Sequence, residues 1–196
     1  MKINTEPYPH VDIKIVQWII HSNYTLRNSN NNYALLLLES DAPLAAPNIN
    51  TICLPSSIEN FDIENCKSTG WGRKTRNDLE FSRVLKKVYP LPIIPNDQCQ
   101  KELRSTRLGK SYVVHDSFLC AGGKLKDTCD GDGGGPLFCK KNDITQRYYQ
   151  IGAVIGGIGC KSGVPAVYAN IPYTMNWINQ QVEQRFGKEG LQYFTP

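Results

Sequence analysis

The chain has 196 residues, 40% of them hydrophobic and 20% charged, with 16 glycines and 12 prolines. That balance excludes a disordered polymer and a long helical rod, and the length suits one all-β domain, since barrels and sandwiches run to roughly 200–250 residues. The formal net charge of +4 comes from scattered Lys and Arg, which argues against a nucleic-acid binder built on a basic tract.

In chain order, the alternation in VDIKIV predicts a strand over Val11–Val16, and the apolar run ALLLL predicts another over Ala34–Leu38. Turn-forming stretches DAPLAAPN and YPLPIIPND follow, and PNDQCQKELR predicts a short helix opened by Asn96. YYQIGAVI at Tyr148–Ile155 is rich in β-formers between turn signals, and KSGVP breaks the chain after it. IPYTMNWINQQVEQRFG places Ile171, Met175, Ile178 and Val182 on one helical stripe that Gly187 stops, giving a helix near Pro172–Phe186. No stretch approaches the ~20 apolar residues of a membrane span. The opening residues lack the apolar core and cleavage site of a signal peptide, so the expectation is a chain that lacks its leading segment.

Seven cysteines at 53, 66, 99, 120, 129, 139 and 160 contain no CxxC pair, and the histidines lie apart at His10, His21 and His115, so a zinc cluster does not fit. Disulfides fit better and imply an oxidising, extracellular setting, with one cysteine left over.

DTCDGDGGGPLFC, at Asp127–Cys139, frames a glycine, Gly133, inside a turn otherwise written GDSGGP. With it stand GWG at Gly70–Gly72, ALLLLES, ICLP at Ile52–Pro55, FLCAGG at Phe118–Gly123 and VPAVYANIPYTMNWI at Val164–Ile178. In their order along the chain the motifs resemble the chymotrypsin-like (trypsin-like, S1) serine proteases across nearly its whole length. The stretches beginning at Thr5 and at Thr106 are most similar to the clip-domain serine protease homologues of arthropod immunity, which include cofactors of prophenoloxidase activation. The resemblance implies one protease-like domain over residues 1–196. Its fold would be a double antiparallel β-barrel with the first barrel incomplete and a C-terminal helix.

Catalysis in that family needs a serine hydroxyl, a histidine to take its proton and an aspartate to hold the histidine. By the resemblance, Gly133 stands at the nucleophile position, Asn32 at the aspartate position, and the histidine's AAHC segment is not in the chain. Gly131 and Gly133 are the remnant oxyanion hole, ordered in the family by Asp132 and a new amino terminus that this chain does not supply. GDGGGP is no phosphate loop, since the Lys and Ser/Thr of a P-loop do not follow it, and DGDG lacks the spacing and closing Glu of a calcium loop. No metal or cofactor is expected.

The resemblance further implies a pocket remnant of Asp127, Gly157 and Ala166, the last adding a methyl to the wall. It pairs Cys66 with Cys139, Cys99 with Cys120 and Cys129 with Cys160, and leaves Cys53 unpaired. The expected role is a secreted, non-catalytic cofactor, scaffold or decoy bound to a protease or prophenoloxidase-like zymogen, with neither nucleic acid nor membrane as partner. An endopeptidase using other residues, or a fragment without a role of its own, are the alternatives. The basic loop KELRSTRLGK is a candidate contact surface beside its reading as a solvated loop, and NYT at Asn23 is a glycosylation sequon.

Overall fold

The computed structural model describes residues 8–123 and 126–193, so the first residues of the stretch beginning at Thr5 lie outside it. The described chain runs β1 (Ile15–Ile20), β2 (Ala34–Leu38), β3 (Lys67–Gly70), β4 (Lys86–Val88), β5 (Ile93–Ile94), α1 (Asn96–Arg104), β6 (Phe118–Ala121), β7 (Pro136–Lys140), β8 (Tyr148–Gly156), β9 (Ala166–Asn170) and α2 (Ile171–Phe186), followed by a 3-10 turn. Seven strands form one antiparallel sheet in the order β4-β3-β7-β8-β9-β6-β5. Its ends meet: Leu91 N–H donates to the Cys66 carbonyl (2.9 Å) and Ile93 N–H to the Ile63 carbonyl (2.8 Å), so the sheet curls into a barrel. Closure satisfies backbone groups that would otherwise line free edges. Leu91, Leu137, Ile151 and Tyr168 fill its interior, all at 0% exposure.

β1 and β2 pair as a separate two-stranded sheet. The first expected strand is displaced along the chain, because a ladder ends where its partner ends. Ile15 faces Leu38 and Ile20 faces Ala34, leaving Val11–Lys14 without a strand beside them. A lone hairpin is marginal in water. This one is anchored by Leu35 packed on α2, by the Tyr33 hydroxyl, which lies 2.8 Å from the Ser117 carbonyl oxygen and 2.9 Å from that of Asn170, and by the His21 ring against Trp177. Its outer face keeps Trp18 at 67% and Leu36 at 56% exposure.

α2 starts where the Asn170 side chain accepts the Tyr173 N–H, has Pro172 in its first turn, and ends at Gly187 with φ +68°. Each feature supplies a partner or a conformation that the helix end lacks. Its stripe Ile171, Met175, Ile178 and Val182 is buried, as the 3.6-residue period requires. α1 opens at Asn96 as expected, with Pro95 at the cap position and no side chain capping the helix. Asp97 in the first turn and Lys101 and Arg104 in the last complement the helix dipole, while Cys99 and Leu103, one turn apart, bury a single face.

The disulfides join Cys66 to Cys139, Cys99 to Cys120, and Cys129 to Cys160, with Cα separations of 4.3, 6.3 and 5.0 Å. The first ties the residue just before β3 to β7, and the second holds α1 on β6. Each contributes roughly 2–5 kcal/mol. Cys53 is a half-buried free thiol whose backbone bridges to Tyr149. Under non-reducing denaturing conditions, alkylation is expected to modify one cysteine per chain, and peptide mapping to place it at Cys53. Finding Cys53 bonded to any of the other six would overturn this pairing.

Candidate functional site: a glycine-lined cleft

The glycine turn is built around Asp132. One carboxylate oxygen accepts the Gly72 N–H (2.8 Å) and the other the Cys129 N–H (2.9 Å). A Cβ on Gly70 would lie 2.0 Å from Asp132 Oδ1, and one on Gly72 would lie 2.5 Å from its Cγ. GWG is therefore glycine at both ends because the carboxylate occupies that space. Gly131, at φ +93°, lies under the Phe81 ring, where a Cβ would meet Cε1 at 2.6 Å. Gly133 meets nothing within 4 Å.

Gly131 and Gly133 open onto a cleft of about 330 Å³ whose far wall is Val154–Gly157, Gly159 and the Cys160 end of its disulfide. Neither glycine's N–H donates to a described residue. The remaining candidates divide. Gly157 lines the cleft. Ala166 does not: it is 1% exposed, and its methyl stands 3.7 Å from where a Cβ on Gly157 would be, behind the wall. Asp127 lines a different cavity, of about 550 Å³, together with Ser68, Arg73, Asp132 and Lys161. Asn32 is exposed, two residues before β2, and is absent from the cleft lining. Its neighbour Asn31 is the buried residue, donating from its backbone to Ser117 Oγ (3.0 Å) and from its side chain to the Asn23 carbonyl (3.0 Å). Asn23 itself is exposed, as a used sequon requires.

No histidine lines the cleft. His10 lies near Asp12 (3.6 Å), His21 packs on Trp177, and His115 Nδ1 meets Ser117 Oγ (2.9 Å). Sequence reasoning missed Arg76. It follows GWG in a loop without periodicity, yet its Nη1 lies 3.9 Å from a Cβ position on Gly159 at the cleft wall. Arg107, noted only as part of a basic loop, lines the same cleft.

Asp127 Oδ2 accepts the Lys161 N–H (3.1 Å), while Oδ1 is buried without a partner. Burial raises its pKa from the ordinary 3.8 to about 6, against the opposing backbone hydrogen bonds. An acid that binds its proton more tightly when folded contributes stability that is fully present below about pH 4 and is lost as pH rises through about 6. Asp127→Asn is expected to raise Tm relative to the parent at pH 8, with the gap shrinking towards pH 5. Thermal melts across that range check it, and a gap that grows on acidification would refute it.

The family model for trypsin matches residues 3–178. The chain belongs to the trypsin family. It is 38% identical over 184 residues to phenoloxidase-activating factor 2 of Galleria mellonella, a match covering 92% of this chain and 60% of that protein. It is 39% identical over 182 residues to inactive CLIP domain-containing serine protease A3 of Aedes aegypti, covering 91% and 37% respectively. Against serine proteinase stubble of Drosophila melanogaster it is 32% identical over 180 residues, covering 90% and 22%. This trypsin-family chain thus spans less than two thirds of the length of these relatives. Its closed barrel and flanking helix are the all-β architecture of the family. The cleft offers backbone N–H groups and guanidinium groups; the one hydroxyl among the described residues that line it is that of the buried Thr128, and no imidazole lines it.

Proposed function

We propose that the chain is a non-catalytic, trypsin-like module of an extracellular proteolytic cascade, acting as a cofactor, scaffold or decoy for a protease or a prophenoloxidase-like zymogen. The observation that carries this reading is Gly133, a residue with no side-chain nucleophile, at the open centre of a cleft that no histidine lines. Asn32, at the aspartate position implied by the family, stands exposed and has no carboxylate with which to orient an imidazole. Relatives named as inactive serine proteases and as a phenoloxidase-activating factor support the non-enzyme role and the cascade. Three disulfides support a secreted setting, because thiols stay reduced in the cytosol. The whole chain reads as one protease-like domain.

The test is reconstitution. A cascade protease and its prophenoloxidase-like zymogen are mixed with and without the purified chain, and phenoloxidase activity is followed. A dose-dependent change in the yield of active phenoloxidase, in either direction, supports the proposal. An unchanged yield at every ratio, with neither protein retained by the immobilised chain, overturns it.

A further inference from the structure

The glycine-lined cleft carries a charge pattern of its own. Arg76 enters from the loop after GWG and Arg107 from the loop after α1, and both line the cleft with exposed side chains. Neither makes an ion pair or hydrogen bond with a described residue, so the two guanidinium groups bring positive charge that no carboxylate answers. Asp130 is the one acid among the described residues lining the cleft, and it already faces Arg73, Nη1 to Oδ2 3.9 Å. Asp127, an acid that would draw a Lys or Arg side chain, belongs to the neighbouring cavity. Gly131 and Gly133 add two undonated N–H groups, and the space over Gly133 is open for 4 Å around its would-be Cβ.

Guanidinium forks and convergent backbone N–H groups are the donors that bind carboxylates, and they repel ammonium and guanidinium ligands. We propose that this cleft binds a carboxylate, presented by a Glu or Asp side chain of a partner polypeptide, with Arg76 and Arg107 as its cationic jaws. The inference deepens the non-catalytic reading of the cleft and rests on it. Peptide binding to the chain alone is measured separately from the cascade assay, so either can fail without the other.

The experiment uses fluorescein-labelled hexapeptides, blocked at both ends, that differ at one central residue: Glu, Gln or Lys. A fourth peptide carries Gln with a free C-terminal carboxylate. Fluorescence anisotropy at low and at physiological salt reads the affinities. The Glu peptide is expected to bind at least about tenfold tighter than its Gln and Lys counterparts, the ratio that one charge-assisted contact supplies, and to weaken as salt screens the pair. Arg76→Gln with Arg107→Gln should erase that preference. Both side chains are exposed and have no partner among the described residues, so the variant should melt like the parent. Equal or tighter binding of the Lys peptide overturns the proposal, as do an unchanged preference in the double variant and no binding at millimolar peptide. Binding confined to the free C-terminal peptide would move the carboxylate to a chain end and overturn the side-chain assignment.

Discussion

Gly133→Ser is expected to leave the chain as inert as its parent towards Arg and Lys esters and peptides. The substitution is sterically free, since a Cβ at Gly133 meets nothing within 4 Å, so a folded, hydroxyl-bearing variant should form. What it lacks is a base. His115 and His21 are engaged with Ser117 and Trp177, and no histidine lines the cleft. Triad residues act as a unit: loss of the nucleophile or its base alone costs about as much as loss of all three, on the order of a millionfold in kcat. Restoring one member therefore restores almost nothing. The measurement is hydrolysis by parent and variant side by side, with fluorophosphonate labelling of the new serine. Turnover by the parent above the buffer rate, persisting after contaminating protease is removed, would overturn the non-enzyme reading.

Gly70→Ala and Gly72→Ala are expected to be strongly destabilising although each adds only a methyl. Each new methyl would fall on the Asp132 carboxylate, at 2.0 Å from Oδ1 and 2.5 Å from Cγ. Relief requires the carboxylate to swing away from the Gly72 and Cys129 N–H groups that it accepts. Hydrogen bonds to a charged group contribute roughly 1.5–3 kcal/mol, so a loss of about 3 kcal/mol is expected from each substitution. For a domain of this size that is a fall in Tm of roughly 6–12 °C. Gly133→Ala, with open space around it, should change Tm by little. The decisive comparison places Gly70→Ala in an Asp132→Gly background: if the carboxylate is the obstacle, the substitution costs less there than in the parent. Equal costs in the two backgrounds would show that the clash lies elsewhere.

Much of the architecture was legible because local chemistry and tertiary packing agree. The Ile171, Met175, Ile178 and Val182 stripe fits only a helix buried on one face, and Gly187 supplies the positive φ that ends it. The run at Ala34–Leu38 became β2 at the expected bounds. Where the reading slipped, a distant partner decided. β1 starts at Ile15 rather than at Val11 because β2 sets the ladder.

By itself, then, the sequence determined the family, the all-β class, the C-terminal helix and the glycine at the centre of the turn, since each is written in a contiguous motif or a short period. Only the tertiary structure decided that Asp127 and Ala166 stand outside the cleft lined by Gly157, and that Arg76 and Arg107, 31 positions apart in the chain, line it together. The physical reason is that a cleft's charge depends on which loops the barrel brings to one wall and on which way each side chain points. Neither leaves a periodic trace along the chain.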